Sequence, residues 1–407
     1  MTQELHTDIV IIGGGIAGLW LLNRLCQQGH NTVLLESHAL GGGQTLASQG
    51  IIHGGLKYAL SGVLSPASSA IAGMPDRWRQ CLAGQGEIDL SQTRVLAPHY
   101  YMWSSGGYRS RLKTFLGSKA LRGRIDALNT ASYPDFLKGQ TLSGTLYQLT
   151  DFVVDTPSLV ANLSSPYADR LFHVSEDRLH IHSSTEGVID KLLLGAGPDS
   201  ISLTAKQYIL CAGEGNGALL CAMGVEQPAM QTRPLHMLVM KSDHPHPVFM
   251  HCIGDSFGMT PRMTITSHPC EAGGWYWYIG GEIAESGVNR SMEEQIAYGR
   301  AQLQEVFPWL NYRNTQWSSF FINRAEPKLA NLQRPDTAYL HALGNTLLTW
   351  PTKLTLSPEL GESVLSALQA LSLNADNSTD DSATLAVLRQ YFSQPAIAQA
   401  RWESLLA

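Results

Sequence analysis

Ile9-Val10-Ile11-Ile12 is an unbroken apolar run between polar Thr7-Asp8 and the glycines at 13–15. A continuous β-branched run of this kind predicts a strand buried on both faces. Behind the glycines, Leu19, Leu21, Leu22 and Leu25 predict a helix, and Gly29 suits its C′ position. A second apolar run, Thr32-Val33-Leu34-Leu35, predicts another strand that ends in Glu36. Further on, residues 59–90 read as helical and the aromatic run 95–103 as a strand. Asp151 to Asn162 reads as a strand end and a helix start, with Thr156 at the N-cap and Pro157 at N1.

Alternating patterns predict strands near 171–174, 179–183, 187–194 and 200–204. Gln207 to Cys211 predicts one more buried strand, which ends in small residues and returns beside the first. Thr232–Met240, Met259–Thr266 and Gly274–Glu282 predict a sheet in a second domain, followed by a helix from Glu293 to Phe307. The strand Thr346–Thr349 leads through the turn 350–353 to a helix with Ser357 at the N-cap and Pro358 at N1. Residues 373–382 form a polar loop before a last helix.

The first glycines carry chemistry. Gly13, Gly15 and Gly18 stand at the G-x-G-x-x-G spacing directly after a predicted strand. Gly13 allows the tight turn, Gly15 lets the backbone approach a pyrophosphate, and Gly18 lets the helix pack closely. An anion there is favoured by the free amides and the helix dipole. Glu36 ends the second strand, where a carboxylate accepts hydrogen bonds from a ribose. In this order the motif predicts a dinucleotide site. Residues 41–58 add six glycines and many small side chains, a segment able to lie against a flat ligand.

Composition narrows the function classes. The 407 residues allow two substantial domains, and the net charge of −6 argues against general nucleic-acid binding. No apolar run reaches the roughly 18 residues that a membrane helix needs. The first strand starts close to Met1, which leaves no room for a signal peptide and suggests a cytoplasmic protein. The six cysteines are scattered without a Cys-x-x-Cys pair, and His180/His182 and His244/His246 lack further ligands at metal spacing. No metal site is expected. Residues 109–124 hold Arg109, Arg111, Lys113, Lys119, Arg122 and Arg124 with no acid between them. This is either a solvated helix face or a docking surface for an anionic membrane or acidic partner.

Several of these segments together resemble the FAD-dependent D-amino-acid oxidase superfamily. They are Gly13 to Gly18 with Glu36, Tyr208 to Gly213, Asp155-Thr156-Pro157, Arg324 ahead of Arg334-Pro335-Asp336, and Leu354 to Pro358. Ile51-Ile52-His53-Gly54-Gly55-Leu56-Lys57-Tyr58 is most similar to FAD-linked glycerol-3-phosphate dehydrogenases and oxidases and to L-2-hydroxyglutarate oxidases. The resemblance implies an α/β fold: a Rossmann-like FAD-binding domain interleaved with an antiparallel-sheet α+β substrate domain. Their segments would be 1–75, 151–225 and 326–407 for FAD, with 76–150 and 226–325 for substrate. It implies non-covalent FAD held by Gly13, Gly15, Ile16, Ala17, Gly18 and Glu36. Along the glycine-rich loop it adds Gln44, Thr45, Ser48, Gln49, Gly50, Ile52 and His53. Val174, then Cys211, Ala212 and Gly213, and finally Thr352, Lys353, Leu354 and Thr355 complete the set.

There are departures from the family pattern. The usual Gly-Leu-Arg-Pro stretch reads Asn323-Arg324-Ala325-Glu326-Pro327, and the glycine-rich C-terminal loop reads Trp350-Pro351-Thr352-Lys353, without a cysteine. The expected reaction takes hydride from a C–H next to an amine or hydroxyl of a small anionic molecule onto flavin N5. An amino acid, a hydroxy acid or a polyol phosphate fits. His53 is a candidate base or substrate contact, because imidazole titrates near neutrality. Arg324 is a candidate for bidentate carboxylate binding. Lys353 and the helix start at Ser357 are candidates for stabilising negative charge on the reduced ring. Arg233, Tyr276 and Tyr278 are further candidate lining residues. Two other readings stay open: a flavin monooxygenase, whose usual Gly-Asp reads Gly344-Asn345 while Gly254-Asp255 falls in the presumed substrate domain, and a non-catalytic flavoprotein that needs a partner.

Overall fold

The computed structural model describes residues 3–55, 66–104, 125–140, 144–197, 200–253, 261–330, 335–373 and 381–406. The basic segment 109–124 and Gly254-Asp255 lie outside them.

Two-sided burial organises the first sheet. Ile9 and Ile11 face one apolar cluster, and Val10 and Ile12 face another across the sheet. The same division separates Leu34 from Val33 and Leu35, and Ile209 from Tyr208 and Leu210. The strand Gln3–Ile12 lies between Ile201–Leu210 and Thr32–Glu36, parallel to both, and Leu171–His173 extends the parallel set. Thr346–Trp350 pairs in parallel with the second half of Ile201–Leu210 and carries Tyr339–Leu343 as an antiparallel neighbour. A hairpin, Leu179–His182 with Lys191–Leu194, pairs antiparallel with the first half of that strand. Helices Ile16–Gln27, Thr156–Ser164 and Ser357–Ala370 cover one face, and Ser382–Tyr391 covers the other.

A second sheet takes its strands from between these segments, as expected of an interleaved α/β fold. It runs Gln316–Pro327, Met230–Ser242, Trp275–Gly280, Met263–Pro269, Met250–Ile253, Tyr100–Ser104, Thr145–Leu149 and Ile125–Ala127. All neighbours are antiparallel except Met250–Ile253 with Tyr100–Ser104. The helix Met292–Val306 buries Leu303 and Val306 against Leu238, Met240 and Trp277 on one face. The other face presents Met237, Val239, Tyr276 and Tyr278, part of it covered by Trp402 of the terminal helix Arg401–Leu406. A small sheet, Ile51–Ile52 with Phe152–Val154 and Val95–Ala97, joins the two halves.

Several boundaries differ from the sequence reading, each for a local reason. The aromatic run 95–103 is two strands in different sheets, because Pro98 interrupts it and lacks the N–H a ladder needs. The patterns at 200–204 and 207–211 are one strand that changes from an antiparallel to a parallel partner midway. Asp155, not Thr156, is an N-cap: its carboxylate accepts the Ser158 N–H at 3.1 Å, which moves Pro157 to N2. Ser357 likewise falls one residue inside its helix, and its hydroxyl donates to the Leu354 carbonyl at 2.9 Å instead of capping. Within the predicted helix 59–90, the described helical part is Pro66–Leu82. Gly29 behaves as expected: it sits at φ +86° after the first helix, and His30 N–H reaches back to the Leu25 carbonyl at 3.1 Å.

Gly18 sets how closely the first helix approaches the first strand. A Cβ on Gly18 would overlap the Gly13 carbonyl oxygen, a backbone atom that cannot yield without moving the turn. Gly18→Ala is therefore expected to cost about 1–3 kcal/mol of stability, as other overpacking changes do, and to weaken dinucleotide binding with it. Urea unfolding of the variant, with and without added FAD, measures both.

Candidate functional site

The turn after the first strand is held by its own backbone. Gly13 takes φ +112°, and its N–H donates to the Leu35 carbonyl at 2.8 Å. A Cβ there would stand 2.7 Å from the Ala212 backbone, so only glycine lets the first and returning strands approach at this level. Gly14 N–H donates to Glu36 Oε2 at 2.6 Å, and His38 N–H donates to Oε1 at 2.9 Å. Each carboxylate oxygen keeps a further lone pair for a ligand hydroxyl. Val174 N–H donates to the Glu36 carbonyl at 2.9 Å, which brings Val174 to the same strand end.

Gly15 occupies the N-cap of Ile16–Gln27 and has no side chain to cap it. A Cβ on Gly15 would meet only the Thr45 hydroxyl, at 3.3 Å, and that hydroxyl accepts the Ile16 N–H at 2.9 Å. The first turn, with Ala17 and Gly18 in it, thus has an open approach, no cap from Gly15 and an acidic strand end nearby. These features fit the adenosine and pyrophosphate of a dinucleotide.

The returning strand supplies the opposite lip. Ala212 N–H donates to Asn216 Oδ1 at 2.9 Å, and Asn216 Nδ2 donates to the Thr349 carbonyl at 3.1 Å. Trp350 Nε1 donates to the Gly213 carbonyl at 3.0 Å. These bonds fix Cys211 to Gly213 against the late strand, and Gly213 at φ +59° faces Gln44. The Cys211 thiol is buried, which pushes its pKa up to about 12, so it stays neutral and inert. Sequence does not single out Asn216 and Trp350, because Thr349 and Gly213, which they bond, lie far from them in the chain.

The glycine-rich loop runs from this lip to the second sheet. The Gln49 side-chain amide donates to the Thr264 carbonyl at 2.8 Å and to the Tyr278 carbonyl at 2.9 Å. Its side chain therefore ties the loop to the second sheet. Gly50, at φ +67°, follows the Ser48 hydroxyl, which accepts its N–H at 3.4 Å. Ile52 is fully buried. His53 N–H donates to the Thr355 hydroxyl at 3.1 Å, and that hydroxyl donates to the Ile51 carbonyl at 3.3 Å. The structure thus brings together the histidine loop and the segment Thr352–Thr355, which sequence reading placed at the same ring.

Thr352 itself sits at φ +59°, a strained setting for a β-branched residue of the kind that gathers at ligand sites. Lys353 Nζ donates to the Asp336 carbonyl at 3.4 Å, and Leu354 begins the short turn that leads into the next helix.

The second sheet divides the remaining candidates. Tyr278 donates its hydroxyl to the Ala47 carbonyl at 2.7 Å and is buried, so it braces the loop. Tyr276 packs in the cluster under the terminal helix, and burial together with Cys270 pushes its pKa up to about 12. Arg233 pairs with buried Glu326 at 2.5 Å. Arg324 lies on the same strand face as Phe320 and Ile322 by the two-residue alternation. Phe320 stacks on Tyr278 at 5.8 Å, so this is the face that meets the loop. One Arg324 nitrogen, Nη2, touches Glu285 at 3.4 Å, while its buried Nε has no partner. Asn345, at the position of the monooxygenase aspartate, instead brackets Ile189 with two bonds of 2.8 and 2.9 Å.

A cavity of about 440 Å³ opens elsewhere, among His99, Tyr101, Tyr133, Phe136 and His246, and contains none of these residues. Among the described residues no group of three or more His, Cys, Asp or Glu is placed to hold a metal, and no helix is long and apolar enough to cross a membrane.

Asp151 is a site neighbour that sequence reading missed. It is 4% exposed, and its Oδ1 accepts the Gly54 N–H at 2.9 Å, beside His53. Burial raises its pKa to about 6, against the lowering effects of the Gly54 bond and the Arg79 charge. A raised folded value means that the stability contributed by the neutral carboxyl is fully present below the unfolded value of 3.8 and lost as pH climbs through about 6. That loss is on the order of 2–3 kcal/mol. Asp151→Asn removes it, so the variant's advantage in Tm over the natural chain should be negligible near pH 4 and grow towards pH 7.5. Paired thermal melts across that range check the sign.

Residues 8–344 match the model of a family described as FAD dependent oxidoreductase. The chain is 45% identical over 370 residues to a probable FAD-dependent oxidoreductase of Pseudomonas aeruginosa, covering 91% of this chain and 92% of that one. The crystal structure of the Pseudomonas aeruginosa protein superposes with a TM-score of 0.82 at 38% identity, over 99% of both chains. Two more distant structures share the fold. Glycine oxidase from Geobacillus kaustophilus has a TM-score of 0.59 at 15% identity, over 93% of this chain and 98% of that one. L-alpha-glycerophosphate oxidase from Mycoplasma pneumoniae, with FAD bound, has a TM-score of 0.63 at 15% identity, over 89% and 95%. The chain belongs to the FAD-dependent oxidoreductases of the D-amino-acid oxidase superfamily, and FAD is the dinucleotide that its first turn fits.

Proposed function

We propose that this oxidoreductase takes hydride from a C–H beside an amine or hydroxyl of a small anionic substrate. The observation that carries the reading is the Arg324 guanidinium: partly buried, on the sheet face that meets the flavin loop, with an Nε that has no partner. A buried N–H without a partner is costly even with Glu285 on the other arm of the guanidinium, and an anionic ligand group would satisfy it. An amino acid, a hydroxy acid or a polyol phosphate carries such a group.

Bound FAD supplies the hydride acceptor. This chain's residues supply the rest. Arg324 orients the substrate through its anionic end. His53, held by its own backbone on Thr355, takes the amine or hydroxyl proton. Lys353 and the N-terminus of Ser357–Ala370 present positive charge to the ring edge that becomes electron-rich. Gln49 and Tyr278 lock the loop to the second sheet, which narrows the path for water. The FAD is held without a covalent bond, in keeping with the His53-Gly54-Gly55-Leu56-Lys57 sequence and a late loop that lacks cysteine.

Anaerobic mixing with a panel of small amino acids, hydroxy acids and polyol phosphates should bleach the yellow flavin with at least one donor. With that donor, Arg324→Lys is expected to raise KM by about 10–100-fold at unchanged flavin absorbance, because lysine cannot copy the bidentate fork. Loss of the flavin or of the fold in this variant would instead make the arginine structural. Acid precipitation should release all the yellow colour into the supernatant. Colour kept in the pellet, and lost in His53→Ala, would mean a histidyl tether.

A further inference from the structure

Asp151 stands at a corner clamped from two sides. Arg79, on the helix Pro66–Leu82, donates to the Thr150 carbonyl at 2.5 Å and lies 4.7 Å over the Phe152 ring. On the other side the Asp151 carboxylate accepts the Gly54 N–H. Gly54 is seated against this corner: a Cβ on it would lie 3.4 Å from the Thr150 hydroxyl and 3.5 Å from Pro75. One residue earlier, His53 donates its N–H to Thr355. The histidine is thus suspended between two backbone bonds in succession, one to the late segment and one to Asp151.

We propose that Asp151 is a positioning residue, whose buried carboxylate fixes the Gly54 amide and so the placement of the His53 imidazole at the flavin site. The chemical identity of the side chain argues for a role beyond packing. An asparagine would offer Gly54 the same carbonyl acceptor without a charge to bury. The carboxylate is kept in spite of its desolvation, which burial alone does not explain. What the charge adds is a stronger bond, since a hydrogen bond to an ionised acceptor is roughly twice as strong as a neutral one. The groups that act on Asp151 are few. They are the Gly54 amide from the loop, the Arg79 guanidinium from the helix, and its own backbone. Tyr100, from the second sheet, is fully buried, donates to the Ile265 carbonyl at 2.7 Å, and is kept neutral chiefly by burial, with Asp151 adding to it.

The inference rests on the proposed function only for what His53 does, so its test begins with a readout that needs no substrate. Hydrogen exchange is followed by mass spectrometry on the FAD-loaded protein, in a peptide spanning residues 50–56, with a peptide over 201–210 as control. Asp151→Ala is expected to speed exchange in the first peptide about tenfold at pH 8 and to leave the second unchanged. Asp151→Asn restores most of the protection. The Gly54 bond lowers the Asp151 pKa, so an opening that breaks it while Asp151 stays buried is easier once the carboxyl is protonated: after correction for intrinsic rates, protection in the natural chain falls as pH drops through about 6, whereas the Asn variant shows no such step. With a donor that bleaches the flavin, the bleaching rate constant should fall about tenfold in Asp151→Ala at equal flavin content and recover for the most part, not fully, in Asp151→Asn at pH 8.

Unchanged exchange in Asp151→Ala, or a pH step that persists in Asp151→Asn, overturns the proposal. Should Asp151→Ala fail to fold, the pH step in the natural chain against the Asn variant decides. If no donor bleaches the flavin, the proposed reaction is at fault, and the exchange result still stands or falls by itself.

Discussion

Everything at the site depends on one close approach, the Gly18 α-carbon lying against the Gly13 carbonyl. With no side chain between them, the first helix starts at the sheet rather than above it. That contact aims the first-turn amides past Gly15, and it leaves Gly14 N–H within reach of Glu36 at the next strand end. The apolar clusters on the two sheet faces then hold the arrangement. Ile11 and Leu34 pack against the helix from below, while Val10, Val33 and Leu210 are packed from the far side. A turn this tight tolerates no slack in register. Gly13 backs onto Ala212, so the spacing of the first and returning strands is set by the same glycine that makes the bend.

From this fixed point the site is built outward by backbone bonds rather than by ion pairs. Thr45, Asn216, Thr355 and Gln49 each bond main-chain groups of a distant segment. Main-chain anchoring has a consequence for chemistry. It leaves His53 and Lys353 on segments whose course is already decided. Charged pairs also occur, as where Arg77 meets Glu87 and Arg170 meets Asp381, but they do not hold the loop. The second sheet is joined to the first by the same logic, through Gln49 on two carbonyls and Tyr278 on a third.

The sequence was most readable where a residue's role is local. Continuous apolar runs announced the two-sided strands because each side chain in them is buried on one face or the other. The glycine roles followed from spacing alone. Where the pattern is half polar, it misled: Gln3 to His6 extend the first strand but are mostly exposed, and Tyr339–Leu343 is a partly exposed edge strand without a clear alternation. The helix starts slipped by one residue because Asp155 and Thr156 are both good caps and sequence does not say which carboxylate or hydroxyl reaches the free amide. The site residues missed were those defined by partners about a hundred or more positions away, such as Asp151 with Gly54 and Asn216 with Thr349. Their types are ordinary for strand ends and turns, and only the packed fold gives them a role.

Two costs stored in the same region have a common reading. Thr352 holds a left-handed backbone that a β-branched side chain disfavours, and Asp151 keeps a carboxyl in a buried corner. Neither is forced by the fold around it, since a glycine at the first position and an asparagine at the second would fit the same backbone. The two lie on opposite sides of the His53–Thr355 bond. Thr352 sets the direction of the segment that carries the Thr355 hydroxyl, and Asp151 sets the segment that carries the His53 amide. Strain on both arms of one junction is what a site needs if its geometry must be held against relaxation while a ligand enters and leaves. The apolar clusters packed on the faces of the surrounding sheets supply the stability that permits it.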